Sequence, residues 1–159
     1  MSIFTEQQAK AILDKVIALS KADECTATLA GAINGNIRFA LNNISTSGIV
    51  SDASLAVQVA FGKRVGTASI NEFDDAALER VVRRAEDLAR LAPENPEFLP
   101  AIGRQTYKAS PTFSESTGAI DPAFRAKVAA DSILPCRQAG VIAAGFLEDG
   151  HGFTATANS

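Results

Sequence analysis

Apolar and polar residues alternate along the chain from Ala27 to Ile70, and this period of two predicts an antiparallel sheet. Asn34-Gly35 suits the positive φ angles of a type I′ turn and predicts a tight hairpin there. Further alternating segments at 37–41, 55–61 and 65–70 predict the other strands. We therefore expect four successive extended segments, with the polar stretch 45–48 as a gap between the second and the third.

Two amphipathic helices flank this stretch and are expected to cover one face of the sheet. Thr5 and Gln8 have the spacing of a capping box, which predicts a helix from Glu6 to about Ser20. Asp74 is the predicted N-cap of a second helix that ends before Pro93. Its arginines alternate with acidic residues, which favours a solvated helix face over a phosphate site. The predicted fold class is α+β, with an antiparallel sheet covered by helices.

Turn-forming and helix-breaking residues divide the chain into three segments. Residues 1–100 form the predicted helix, sheet and helix unit, and residues 101–120 are a connection rich in Pro, Ser, Thr and Gly. Residues 121–159 are expected to hold an incomplete second repeat, a related helix-hairpin unit. Its predicted elements are a helix from Asp121-Pro122 that Pro135 kinks or ends, a strand Val141–Leu147, a turn Glu148–Gly152 and a strand from Phe153. Because that hairpin is cut short, we expect the natural chain to continue beyond Ser159.

Charge and apolar content exclude several classes of partner. The net charge is −3 with acids and bases interspersed, so the chain lacks the basic footprint of a nucleic-acid-binding or anionic-membrane-binding protein. It contains no apolar run of about 20 residues and no signal peptide at its start, which predicts a cytoplasmic protein. Cys25 and Cys136 are too few for a disulfide framework, and we expect both to be small buried residues.

No residue pattern identifies a catalytic or metal-binding site. His151 is the only histidine and has no further ligand at metal spacing, and no nucleophile elbow or phosphate loop is present. The candidate binding residues are Asn42, Asn43 and Asn158, because side-chain amides near strand ends can bind the main chain of an extended peptide. Capping of a turn or strand end is the alternative role for these amides.

The whole chain resembles the N-terminal domain of the TldD/PmbA family, whose members are sometimes labelled modulators of DNA gyrase. Four stretches carry the resemblance, together with the helix that precedes them: Lys21-Ala22-Asp23-Glu24, Arg38-Phe39-Ala40-Leu41-Asn42-Asn43, Phe61-Gly62-Lys63-Arg64-Val65-Gly66-Thr67-Ala68, and Asp74 to Pro93 with Glu94-Asn95-Pro96. These are strand and helix patterns rather than a catalytic signature.

The resemblance implies a cytoplasmic metallopeptidase-related protein of about three times this length. Such proteins work as homologous paired subunits, homo- or heterodimers, that process or degrade unfolded peptides. The active type carries an H-E-x-x-x-H zinc motif in a later region, whereas this sequence contains no His-Glu pair. No catalytic residue can therefore be carried over, and no cofactor is expected in this chain. Zinc is expected in the full-length active subunit or its partner. The alternative is a non-enzymatic α+β protein-interaction module.

Overall fold

The computed structural model describes residues 4–159. Four strands form one antiparallel sheet in the order β3-β2-β1-β4, and helices pack on it. The predicted α+β class is confirmed. In chain order the elements are α1 (Glu6–Leu19), β1 (Glu24–Ala40), β2 (Asn43–Phe61), β3 (Arg64–Ile70), α2 (Asp75–Leu91), α3 (Glu115–Gly118), α4 (Pro122–Gln138) and β4 (Gly145–Asn158).

The predicted starts of α1 and α2 are confirmed by their capping hydrogen bonds. Gln8 N donates to Thr5 Oγ1 at 3.2 Å and Thr5 N donates to Gln8 Oε1 at 2.9 Å, which completes the capping box of α1. Asp74 Oδ1 accepts from Ala77 N at 2.9 Å at the start of α2. Each of these hydrogen bonds joins residues within one helical turn, and for that reason the sequence predicts them.

The predicted hairpin at Asn34-Gly35 is wrong, because both residues lie inside β1. The chain reverses instead at Leu41 and Asn42, whose φ angles of 50° and 61° are the left-handed pair of a type I′ turn. The polar stretch 45–48 continues β2 rather than interrupting it. The sequence 27–70 therefore forms three strands, two of them long, instead of four.

The predicted second hairpin is also wrong, because residues 145–158 form the single strand β4. Residues Glu148–Gly152 are extended and form no turn, and α4 continues through Pro135 to Gln138. Strand β4 lies beside β1, where Ser159 N donates to Cys25 O at 3.0 Å. Pairing along a whole strand outweighs a local turn preference. The boundaries 1–100, 101–120 and 121–159 stay a prediction.

The described residues group into two compact units, and β1, β2 and β4 each contribute residues to both. The α1–α2 unit comprises residues 4–31, 53–109 and 153–159, and the α4 unit comprises residues 32–52 and 110–152. A continuous apolar core fills the α1–α2 unit: Ala9, Leu13, Val16, Cys25, Ala27, Leu29, Leu55, Val57, Val59, Ala68, Leu78, Val81, Val82, Ala85 and Ala89. Burial of such side chains is worth about 1.5 to 3 kcal/mol for each of the larger ones.

The α4 unit buries far fewer apolar side chains. Those of β1, α4 and the segment that follows α4 are Ile37, Ala129, Ile133 and Ala143. Arg125 on α4 is buried with them, with 1% of its surface exposed. Polar contacts therefore stabilise this unit as much as apolar packing does.

Candidate functional site

The hairpin tip, residues 41–52, contains two of the three predicted binding residues. Asn42 lies in the turn, and its side chain binds the main chain of 141–143: Oδ1 accepts from Ala143 N at 2.7 Å and Nδ2 donates to Val141 O at 3.0 Å. The main-chain N of Asn42 also donates to Ala143 O at 3.3 Å. This amide therefore binds an irregular stretch of main chain, and that stretch belongs to the chain itself.

Asn43 takes part in the cap of the same turn. Its Nδ2 donates to Leu41 O at 3.0 Å, and its Oδ1 accepts from Arg137 Nη2 at 3.1 Å. Arg137, in the last turn of α4, also donates to Asn42 O. Asn158 is an exposed residue at the end of β4 and belongs to the α1–α2 unit. Peptide contact by these three asparagines stays a prediction.

An open groove of about 410 Å³ lies beside the hairpin tip. Apolar side chains of β2 and α4, Ile44 and Leu134 among them, form part of its lining, and both are about half exposed. Asn43 and Arg137 supply polar groups at the same groove. Such a combination of apolar wall and oriented polar groups is what a binding groove requires. It could accommodate an apolar side chain of an extended segment.

The charged side of α2 is a solvated face, as its sequence predicts, with the exception of one buried carboxylate. Glu86 has 1% of its surface exposed, and its Oε1 accepts from Lys21 N at 2.7 Å. Its Oε2 pairs with Arg83 at 2.7 Å and Arg90 at 3.5 Å. Arg83 also donates to Leu19 O at 2.8 Å. The cluster joins α2 to the connection between α1 and β1, so its role is structural.

The environment of Glu86 keeps its carboxylate charged. Burial by itself raises the pKa of Glu86, but the Lys21 N–H and the two arginines stabilise the anion more strongly, so the pKa of Glu86 is lowered. Burial raises the pKa of the Cys25 thiol, the Ser20 hydrogen bond opposes this, and the Glu86 charge adds to it. Cys25 is buried, as the sequence predicts, and Cys136 is only partly so.

Arg125 and Asp149 form a buried ion pair that the sequence did not predict. Arg125 Nη1 lies 2.7 Å from Asp149 Oδ1, and the exposed fractions of the two side chains are 2% and 13%. The guanidinium lies over Gly35, where any Cβ would overlap it. Gly150 likewise leaves room for the side chain of Asn34. The two glycines are needed for space between packed elements, which explains why their turn-like sequence was misleading.

Comparison with known proteins identifies a family model that matches part of this chain. Residues 32–89 match the family model described as PmbA/TldA metallopeptidase domain 1. The resemblance predicted from the sequence is confirmed. Residues 32–89 of this chain are therefore similar to a TldD/PmbA-type first domain. No sequence among curated proteins matches it.

Solved structures share the fold of this TldD/PmbA-type domain. TldE from Thermococcus kodakarensis is 14% identical with a TM-score of 0.74, over 94% of this chain and 34% of that one. A "putative modulator of a DNA gyrase" from Thermotoga maritima is 12% identical with a TM-score of 0.78, over 95% and 35%. A "putative modulator of DNA gyrase" from Bacteroides thetaiotaomicron is 14% identical with a TM-score of 0.71, over 97% and 37%. The chain thus spans about a third of their length.

Two further observations describe this TldD/PmbA-type domain. Within residues 4–159, no three His, Cys, Asp or Glu side chains come together as a metal site would require. His151, in β4, lies edge-on to the ring of Phe113 with 6.1 Å between ring centroids. Over the same described residues, none of the helices has the length and apolar character needed to cross a membrane.

Proposed function

We propose that this chain is the substrate- and partner-contacting first domain of a TldD/PmbA-type zinc metallopeptidase system that processes or degrades unstructured peptides. The observation that carries the proposal is the family match over residues 32–89, because it includes the whole hairpin tip. The tip presents exposed apolar side chains beside oriented polar groups, as a contacting surface does. The partner is a homologous TldD/PmbA-type subunit, in the cytoplasm.

The hairpin tip supports peptide contact through main-chain recognition. The amide of Asn42 is occupied by the main chain of 141–143, which is an intramolecular example of such recognition, whereas Asn43 lies beside the open groove. Recognition of main chain does not depend on peptide sequence, which suits a system that acts on many unstructured peptides. The zinc belongs to the H-E-x-x-x-H motif of the active subunit, in the full-length protein or its partner. This domain would hold peptide and partner.

The alternative is a non-enzymatic α+β interaction module that binds proteins and regulates them. It is favoured by the description of two structurally similar proteins as modulators of a DNA gyrase. The two functions share the contacting surface and differ in whether peptide hydrolysis follows.

A reconstitution experiment separates these functions. The 159-residue chain is mixed with a TldD/PmbA-type subunit that carries the zinc motif, and both binding and hydrolysis of a fluorogenic unstructured peptide are measured. We expect the chain to bind the subunit and to increase hydrolysis. The variant Leu134→Lys, on the wall of the groove, should reduce this increase, whereas Leu91→Lys on the exposed end of α2 should not.

The remaining outcomes decide between the proposals. Binding without any effect on hydrolysis would support the interaction module instead. A chain that binds neither the subunit nor the peptide would contradict both functions.

A further inference from the structure

One edge of strand β2 is unpaired over the hairpin tip. Strand β2 runs from Asn43 to Phe61, but β3 pairs with it only over Leu55–Phe61. The other neighbour of β2 is β1. Residues 43–52, which we name the tip edge, therefore have a strand on one side alone within the described residues. The main-chain groups on their other side remain available to another strand.

The side chains of the tip edge are exposed as well. Every residue of 43–52 except Gly48 is exposed, and Gly48 is partly so. Three of these residues are large and apolar: Ile44, Ile49 and Val50 have exposed fractions of 46%, 58% and 58%. Ser45 and Ser47 donate their hydroxyls to carbonyls of β1, so they are satisfied within the hairpin. The unsatisfied features of the tip edge are its open main chain and its apolar side chains.

The tip edge also lacks the usual protection of an edge strand. Soluble proteins place charges or prolines on such strands to prevent pairing with another chain. The sequence from Asn43 to Ser51 contains no Lys, Arg, Asp, Glu or Pro, and Asp52 at the end of the tip edge is its one charged residue. Strand β4, at the other edge of the sheet, carries Glu148 and Asp149. The occupant of the tip edge is therefore an uncharged extended strand.

The sequence of the tip edge is complementary to itself in the antiparallel direction. If two copies pair about a two-fold axis at Ser47, Ile44 of each copy lies opposite Val50 of the other. Thr46 then lies opposite Gly48 and Asp52 lies opposite Asn42, so no two like charges meet. Cross-strand pairs of branched apolar residues are favourable, and a two-fold axis repeats each pair.

We infer that the tip edge pairs antiparallel with the tip edge of a second copy of this chain and joins the two sheets. The inference deepens the proposed function, on which it rests, because it identifies the surface by which a TldD/PmbA-type subunit meets its homologue. An exposed apolar strand with an unprotected edge is covered by an identical strand on its partner.

Complementary charge variants test the pairing. We would compare the wild-type chain, Ile44→Lys/Val50→Lys and Ile44→Glu/Val50→Glu by sedimentation velocity from low to high micromolar concentration. The wild-type chain should dimerise, and each charged variant should dimerise about tenfold or more weakly, because like charges face each other across the axis. An equimolar mixture of the two variants should recover dimers, since Lys then faces Glu. Leu91→Lys on α2 is the matched control and should dimerise like the wild type.

The outcomes separate the surface from the assembly. Dimers that persist in both charged variants would show that another surface is used, so the inference would fail while the proposed assembly stood. Charged variants that are monomeric alone and in the mixture, although circular dichroism shows them folded, would overturn the antiparallel pairing. A wild-type chain that is monomeric throughout would overturn this inference, and its failure to bind a zinc-bearing subunit would separately overturn the proposed function.

Discussion

The two compact units of this protein are stabilised by different means. In the α1–α2 unit, two helices and parts of all four strands contribute to a continuous apolar core. In the α4 unit, a few buried apolar residues are supplemented by the Arg125–Asp149 pair and by the hydrogen bonds of Asn42 to 141–143. Apolar contacts tolerate small shifts, whereas ion pairs and hydrogen bonds require defined geometry. The α4 unit is therefore the more sensitive to single polar substitutions.

Strand β2 shows the same difference within one element. Leu55, Val57 and Val59 are buried in the α1–α2 unit, and Ile49 and Val50 of the α4 unit are more than half exposed. Apolar residues occur in both parts, but only in the α1–α2 unit are any of them buried. The difference shows that one strand can supply the core at one end and a contacting surface at the other.

The largest effect is expected from breaking the polar anchor of the α4 unit. Among the residues that the structure describes, Asp149 is the only acidic partner of the buried Arg125, and Asp149→Asn removes its charge. Arg125 Nε has no hydrogen-bond partner among the same residues. An uncompensated buried charge should lower the free energy of unfolding by about 3 to 5 kcal/mol. Urea unfolding followed by circular dichroism measures it.

The neighbouring carboxylate is the control for Asp149. Glu148→Gln changes an exposed residue of the same strand and should alter the free energy of unfolding by less than about 0.5 kcal/mol. Equal effects of the two substitutions would contradict the polar anchor.

A slightly smaller effect is expected from truncating the apolar core. Leu55→Ala in the α1–α2 unit leaves a cavity where the side chain is fully buried, and the free energy of unfolding should fall by about 2 to 5 kcal/mol. Ile49→Ala, on the exposed part of the same strand, should change it by less than about 0.5 kcal/mol. Both are measured by urea unfolding. A large loss for Ile49→Ala would mean that this part of β2 is covered in solution.

The smallest effect concerns Glu86, which joins α2 to the connection between α1 and β1. Because its pKa is lowered in the folded protein, the charge of Glu86 stabilises the fold above the ordinary carboxyl pKa. That contribution is lost as the pH falls from the ordinary value through the lowered one. Glu86→Gln should lower the free energy of unfolding by about 1 to 3 kcal/mol near neutral pH. The difference between wild type and variant should shrink in acid.

Urea unfolding of both proteins at a series of pH values measures this dependence. Glu79→Gln is the control, since Glu79 is an exposed member of the same helix and should leave the pH dependence unchanged. A gap between wild type and Glu86→Gln that widened in acid would reverse the assigned direction of the pKa.

The sequence predicted the α1–α2 unit better than the α4 unit. The capping bonds of Thr5 and Asp74 and the buried Cys25 were all predictable, because each depends on periodicity or on neighbours within one turn. The turn at Leu41 and Asn42 was not, since leucine is rare at positive φ and a stronger turn signal lay at Asn34-Gly35. The burial of Arg125 and Glu86 was not predicted, because a charged residue adds nothing to the apolar pattern of a helix.

Peptide contact by the candidate site residues stays a prediction. Asn42 and Asn43 lie at a hairpin tip beside a groove, and Asn42 does bind main chain. Its target, the segment 141–143, lies 99 to 101 residues further along the chain. No local sequence pattern contains a contact of that range. Likewise, the unpaired edge of β2 exists because β3 is much shorter than β2.

The sequence by itself determined the α+β class, the two helix starts, the apolar core of the α1–α2 unit and the family resemblance. These follow from short-range hydrogen bonds and from the periods of two and 3.6 residues that bury one face of an element. Tertiary structure alone decided which dipeptide turns, that β4 is one strand beside β1, and which charges are buried. The physical reason is that Gly35 and Gly150 are selected by the side chains packed against them, and a sequence does not show which distant residue needs that space.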